Sequence, residues 1–255
     1  MASTGADRAP WREAAPGLLV LCIMIAGVLG AMYAFADWGR SLGEAPTLPP
    51  SSAPTYTWAP PPKTALFIGD SYVAGTGAEN PSDRWTSIVS REMGWNESNR
   101  GLGGTGYYST GHPEACGQET CPRYEDHLAE LADEVHPDVV VVSGGLNDLG
   151  RYHEISESVD RAVQNTYVTA ERLYPEAQII AVGPSVTGSV PETAVQMDAA
   201  VQRAAAAVDA TYISLIDPPV VKSHMVLEDR GHVGEDGHAA IAERVVSGLR
   251  RAEGV

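Results

Sequence analysis

From Lys63 to the C-terminus, short apolar runs alternate with longer stretches of helical period. Ala65–Ile68, the four consecutive valines Val139–Val142, Gln178–Val182 and Tyr212–Ile216 are each the length of a strand, and Trp95–Ser98 adds a short fifth. A run apolar at every position, as in the valines, predicts a strand covered on both faces. Between these runs, helices are predicted from Pro81-Ser82-Asp83 to about Met93, stopped by Gly94, and over Tyr124–Val135, with Leu128, Leu131 and Val135 on one side. Others are predicted over Ser156–Leu173 (Val159, Val163, Tyr167 and Ala170 inward), the alanine-rich Glu192–Val208, and Gly237–Arg250. Strands separated by helices predict the α/β class: a doubly wound, five-stranded parallel sheet with helices on both faces. Right-handed crossovers then place every strand's C-terminal end on one edge. The loops that converge there carry Ser71, the glycine run Asn99–Gly106, and Asn147.

The N-terminal pattern is different. Gly17–Ala36, GLLVLCIMIAGVLGAMYAFA, contains no charge and is apolar on all faces, long enough to span a bilayer. Arg8 and Arg12 precede it and Arg40 follows, so the positive-inside bias points the first 16 residues to the cytoplasm and the remainder outward. Ala34-Phe35-Ala36 before Asp37 also resembles a signal-peptide cleavage site. A transmembrane signal anchor and a removed signal peptide therefore both stand, and both export the rest. Residues 37–62 hold Pro46, Pro49, Pro50, Pro54, Pro60, Pro61 and Pro62 among Ser, Ala and Thr, a composition that builds no core and predicts a linker. The expected organisation is a cytoplasmic N-terminus over 1–16, the membrane segment over 17–36, the linker over 37–62, and one catalytic domain over 63–255.

The chain has 255 residues, with 44% hydrophobic and 20% charged, which is ordinary globular composition. Its net charge is −16, and residues 1–62 contribute only −1 of it. A domain that acidic argues against nucleic acid or anionic lipid headgroups as partners, leaving the N-terminal helix as the membrane contact. Cys22 lies in the apolar run, while Cys116 and Cys121 form an even pair in an exported domain, so a disulfide closing CGQETC is predicted. A zinc site there is the lesser reading: His112 is near, but a fourth ligand is not evident.

Ser71 follows the first strand directly, in Gly69-Asp70-Ser71, where Asp70 is expected to shape the turn. A serine hydroxyl becomes a nucleophile when a base takes its proton, and that base is usually a histidine oriented by a carboxylate. His112, His127, His136, His153 and His224 stand in loops or on charged helix faces and read as solvated. His232 and His238 lie in DRGHVGEDGH before the last helix; Asp229 stands three residues before the first and Glu235 three before the second, so either pair fits a base and its carboxylate. Ester attack also needs donors for an oxyanion. Gly104 in the glycine run and Asn147 stand where such donors are expected.

In chain order, Gly69-Asp70-Ser71 with Gly75, the glycine block Asn99–Gly106, Gly145-Leu146-Asn147-Asp148 and Asp229-x-x-His232 resemble the four motif blocks of the SGNH (GDSL-type) hydrolases. The resemblance covers Ala65 to the C-terminus. It implies a flavodoxin-like fold and a serine esterase or lipase that needs no metal or organic cofactor. Ser71 would be the nucleophile, Asp229 and His232 the rest of the triad, and the Ser71 and Gly104 backbone N–H groups and the Asn147 side chain the oxyanion hole. Val233 stands where family members often have Pro after the catalytic His, and Gly237-His238 fits a later family pair, which selects His232 over His238. With the tether and export, the expected substrates are small-molecule esters or esters of the cell envelope, such as acetylated glycans or lipids. An O-acyltransferase using the same triad and a non-catalytic glycan- or partner-binding domain are the alternatives. Gly101–Gly106 matches GxGxxG but is followed by Tyr-Tyr-Ser-Thr-Gly rather than a helix, so a dinucleotide site is not supported. There is no GxSxG elbow, P-loop or HExxH.

Overall fold

A computed structural model describes residues 15–41 and 60–254. Residues 1–14 of the expected cytoplasmic segment and most of the expected linker lie outside the described residues. Two units are distinct, one within residues 1–59 and one over 60–255. In the first, α1 (Ala15–Ser41) is a continuous helix, with an uninterrupted stretch, Val20–Arg40, apolar and long enough to cross a membrane, a property shared by anchors and signal sequences. It runs past Ala36 through Asp37-Trp38-Gly39-Arg40, a stretch with no proline to stop it.

The second unit is a five-stranded sheet in the order β2-β1-β3-β4-β5, every pair parallel. The strands are β1 (Thr64–Gly69), β2 (Asn96–Asn99), β3 (Val139–Ser143), β4 (Gln178–Val182) and β5 (Thr211–Ile213). Successive side chains of a strand face opposite ways, so each apolar run feeds two cores. Leu66, Ile68, Val140 and Val142 pack with Leu128, Val163, Tyr167 and Val201, on the face covered by α5 (Tyr124–Leu131), α6 (Leu149–Leu173) and α7 (Glu192–Ala207). Ala65, Phe67, Val139 and Val141 pack with Trp85, Val89, Ile241 and Val245, under α3 (Trp85–Met93) and α8 (Glu235–Ala252). This is the doubly wound parallel sheet expected. Because β2 lies on one side of β1 and β3 on the other, the chain order reverses between β1 and β3. That reversal opens the crevice at which such folds bind ligands.

The pattern and the structure differ in places; α5, expected to reach Val135, ends at Leu131. Helix α6 starts at Leu149, seven residues earlier than predicted, but breaks from helical geometry at Ile155 (φ −132°, ψ 30°); the periodic stretch found in sequence is the part beyond the kink. Strand β5 ends at Ile213, because the Ser214 hydroxyl turns the chain by accepting from the Ile216 and Asp217 N–H groups. His127 is not solvated. It is buried on the inward side of α5, one turn from Tyr124 and Leu131, and burial lowers its pKa.

Candidate active site

Strand β1 ends at Gly69, where a Cβ would run into the Ser143 carbonyl oxygen of β3 and the side chain of Val73. Only glycine lets the chain turn this close to the neighbouring strand. Asp70 then caps the one-turn helix α2 (Ser71–Ala74), its carboxylate accepting the Tyr72 N–H at 3.0 Å. Ser71 is thus the first residue of the helix. Its own N–H has no turn before it to bond, and it donates to no acceptor among the described residues.

The glycine block is drawn beside Ser71 by continuing the β2–β1 pairing. Arg100 N–H donates to Phe67 O (2.9 Å) and Leu102 N–H to Gly69 O (2.8 Å). Asn99 ties it further, its amide donating to Val73 O (2.7 Å) and Thr86 Oγ1 (2.9 Å). Gly104 follows in the left-handed region, φ +76°, with an N–H that has no acceptor among the described residues. Against this turn packs α4 (Pro113–Cys116), with Ala115 alongside Gly103 and Gly104. The Cys116–Cys121 disulfide is formed and closes the loop behind α4. Asn147 sits in the 3₁₀ turn Leu146–Asp148 after β3 and donates through Nδ2 to Thr105 O at 2.9 Å. The next residue, Asp148, is buried and accepts from Tyr107 N (2.8 Å), Tyr108 N (3.3 Å), Ser109 N (2.8 Å) and Ser109 Oγ (2.6 Å). Asp148 therefore locks the chain after the glycine block to the loop bearing Asn147, a role its sequence position did not disclose.

From the far end of the chain, His232 reaches the same edge. Its Nε2 lies 2.9 Å from Ser71 Oγ, and its Nδ1 lies 2.7 Å from Asp229 Oδ2. The other Asp229 oxygen accepts the Gly231 and His232 N–H groups at 2.9 and 3.0 Å. The hydrogen bond to His232, reinforced by those two N–H donors, holds the Asp229 carboxyl down at about 2. An ionised carboxylate at Nδ1 keeps the proton there and leaves the Nε2 lone pair facing the hydroxyl. His238 is elsewhere and fully buried. Its Nε2–H donates to Thr76 O (3.1 Å), and its Nδ1 faces the Trp85 N–H at 3.4 Å. Burial lowers its pKa, and both ring nitrogens are spent on backbone. Among the described residues no cluster of His, Cys, Asp and Glu is arranged to hold a metal.

Asp70 is 1% exposed, and burial pushes its carboxyl from an ordinary 3.8 to about 6, against the Tyr72 N–H it accepts. The folded chain therefore holds this proton more tightly than the unfolded chain. The associated stability is complete below the unfolded value and is lost as pH rises through about 6. In Asp70→Asn, whose amide oxygen still caps α2, that component of the pH dependence is expected to vanish. Urea unfolding at about pH 4 and about pH 7 should show the parent losing about 2–3 kcal/mol more than the variant. Parallel losses in the two proteins would contradict this.

A hydroxyl, an imidazole and a carboxylate in line at the C-terminal edge of a parallel sheet is an arrangement able to carry acyl transfer through serine. A model of the GDSL-like lipase/acylhydrolase family matches residues 67–240, well over half of the chain, and the protein belongs to that family. It is a GDSL-type esterase or acylhydrolase. No curated protein matches the sequence. Several solved structures share the fold. A carbohydrate acetylesterase family member from Sinorhizobium meliloti is 16% identical (TM-score 0.57), covering 76% of this chain and 100% of that one. A family two carbohydrate esterase from Clostridium thermocellum is 19% identical (TM-score 0.61; 77% and 66%). A psychrotrophic esterase from Pseudoalteromonas sp. is 13% identical (TM-score 0.58; 76% and 100%).

Proposed function

We propose that this protein is an exported serine esterase, anchored by α1 with the proline-rich stretch between Ser41 and Lys63 as its linker, that removes acetyl groups from cell-envelope glycans. The observation that carries the reading is the unbroken line from Asp229 Oδ2 through the His232 ring to Ser71 Oγ, at 2.7 and 2.9 Å. Ser71 Oγ attacks the ester carbonyl while His232 Nε2 takes its proton, and Asp229 holds the ring and offsets the imidazolium charge. The oxyanion that develops is met by the unengaged N–H groups of Ser71 and Gly104 and by the second N–H of the Asn147 amide, the first being committed to Thr105 O. The tetrahedral intermediate collapses, and His232 returns the proton to the leaving alkoxide. The acetyl group stays on Ser71. Water, deprotonated by the same imidazole, then releases acetate and restores the serine.

Export is supported by the apolar helix α1 and by a disulfide in the catalytic unit, a bond that persists in oxidising compartments. An acetylated glycan is supported by fold neighbours that are carbohydrate acetylesterases and carbohydrate esterases. The test is a panel of p-nitrophenyl esters from acetyl to palmitoyl, run beside acetylated polysaccharide. The expected result is turnover that falls with acyl length and acetate released from the polysaccharide. Turnover confined to long acyl chains would overturn the substrate, with the esterase itself left intact.

A further inference from the structure

The loop that carries Asp229 and His232 is strained. Arg230 adopts the left-handed region at φ +58°, a conformation that a non-glycine residue keeps only where its surroundings hold it. Inside the loop, Asp229 Oδ1 takes the Gly231 and His232 N–H groups, and the His232 carbonyl accepts the Leu227 N–H at 2.9 Å. The two carbonyls between them are held from outside. Tyr72 Oη donates to Gly231 O at 3.0 Å, and Thr187 Oγ1 donates to Arg230 O at 2.6 Å. Tyr72 belongs to α2, the residue after Ser71, and Thr187 belongs to the loop after β4. Three separate loops of the sheet edge are thereby tied together one peptide away from His232.

We propose that Tyr72 and Thr187 are positioning residues for the esterase reaction, their hydroxyls clamping the Gly231 and Arg230 carbonyls so that His232 Nε2 stays within reach of Ser71 Oγ. The inference rests on the Ser71–His232–Asp229 reading above. Tyr72 occupies the fourth place of the Gly-Asp-Ser-Leu motif for which the family is named, and a leucine there has no hydroxyl to offer. The side chain is buried with its ring 6.0 Å from the His232 ring, centroid to centroid. Burial pushes its phenol up to about 12, so it remains a donor at any working pH. Neither hydroxyl bonds the reacting serine; each acts on the loop backbone.

Loss of a clamp lets the left-handed turn relax and the imidazole drift, and a displacement of about 1 Å at a reacting group costs up to about 100-fold. Tyr72→Phe and Thr187→Val remove the hydroxyls and nearly preserve shape. Each is expected to lower kcat on p-nitrophenyl acetate about tenfold, with KM within about twofold of the parent, and to slow phosphonylation of Ser71 by a serine-directed phosphonate in parallel. Thr187→Ser, which restores a hydroxyl, should recover most of the loss. A purely structural role would lower the melting temperature and leave kcat per folded molecule unchanged. The clamp is overturned if Tyr72→Phe and Thr187→Val keep the parental kcat, or if Thr187→Ser falls as far as Thr187→Val. Ser71→Ala, run alongside, separates the two levels. Activity surviving in Ser71→Ala sinks the triad and the clamp together, whereas its loss with full activity in both hydroxyl variants sinks the clamp alone.

Discussion

Ser71→Ala is expected to lower kcat for ester hydrolysis by about 10⁴-fold or more, an increase of about 5.5 kcal/mol in the activation barrier, with KM little changed. The methyl side chain fits where Ser71 stands, half-buried at the start of α2. The substitution leaves Asp229 and His232 in place but removes the atom proposed to form the acyl-enzyme. Any remaining rate must come from water attacking directly, aided by the oxyanion donors. Comparison of kcat for parent and variant on p-nitrophenyl acetate, with circular dichroism to establish equal folding, reads the effect. A fall of less than about tenfold would remove Ser71 from the chemistry.

The second large effect separates two histidines that their spacing to a carboxylate alone left side by side. His232→Ala is expected to cost about 10⁴-fold in kcat, because Ser71 Oγ then has no base within hydrogen-bond reach among the described residues. His238→Ala is expected to act on stability instead. It opens a cavity in the core under α8 and strands the Trp85 N–H and Thr76 O that the ring now satisfies, a loss of about 2–4 kcal/mol. Its kcat per folded molecule should remain within about tenfold of the parent. Thermal melts and active-site titration of the two variants distinguish the outcomes. Turnover retained in His232→Ala and abolished in a folded His238→Ala would transfer the base to the later pair, with Glu235 as its carboxylate.

Much of the fold was legible because its signals are local. A strand covered on both faces cannot hide its composition: Val139–Val142 announces β3, and the same holds for Ala65–Ile68 and Gln178–Val182. The sheet-edge convergence of Ser71, the glycine block and Asn147 followed from strand order and crossover handedness alone. The errors lie where tertiary bonding overrides a local pattern. Tyr212–Ile216 is apolar enough for a longer strand, but the Ser214 hydroxyl, also bound to Asp198 at 2.8 Å, ends it at Ile213. His127 looked polar and proved to be part of a helix's inner face. The site shows the same division. Asp229 and His232 could be paired on paper because they stand three apart, whereas Tyr72 Oη meets Gly231 O across 159 residues and Thr187 meets Arg230 O across 43. A side chain that bonds a distant backbone carbonyl leaves no periodicity or spacing to find. Asp148 falls between these cases: visible within a motif, but with a partner set, the N–H groups of 107–109, known only from the folded chain.

The central claim is that Ser71 forms the covalent intermediate, and peptide mapping by mass spectrometry after treatment with a serine-directed phosphonate tests it most directly. The account predicts a single adduct on the peptide containing Ser71, formed in step with loss of esterase activity and far more slowly in His232→Ala. An adduct on another serine, or full activity loss with Ser71 unmodified, would contradict it.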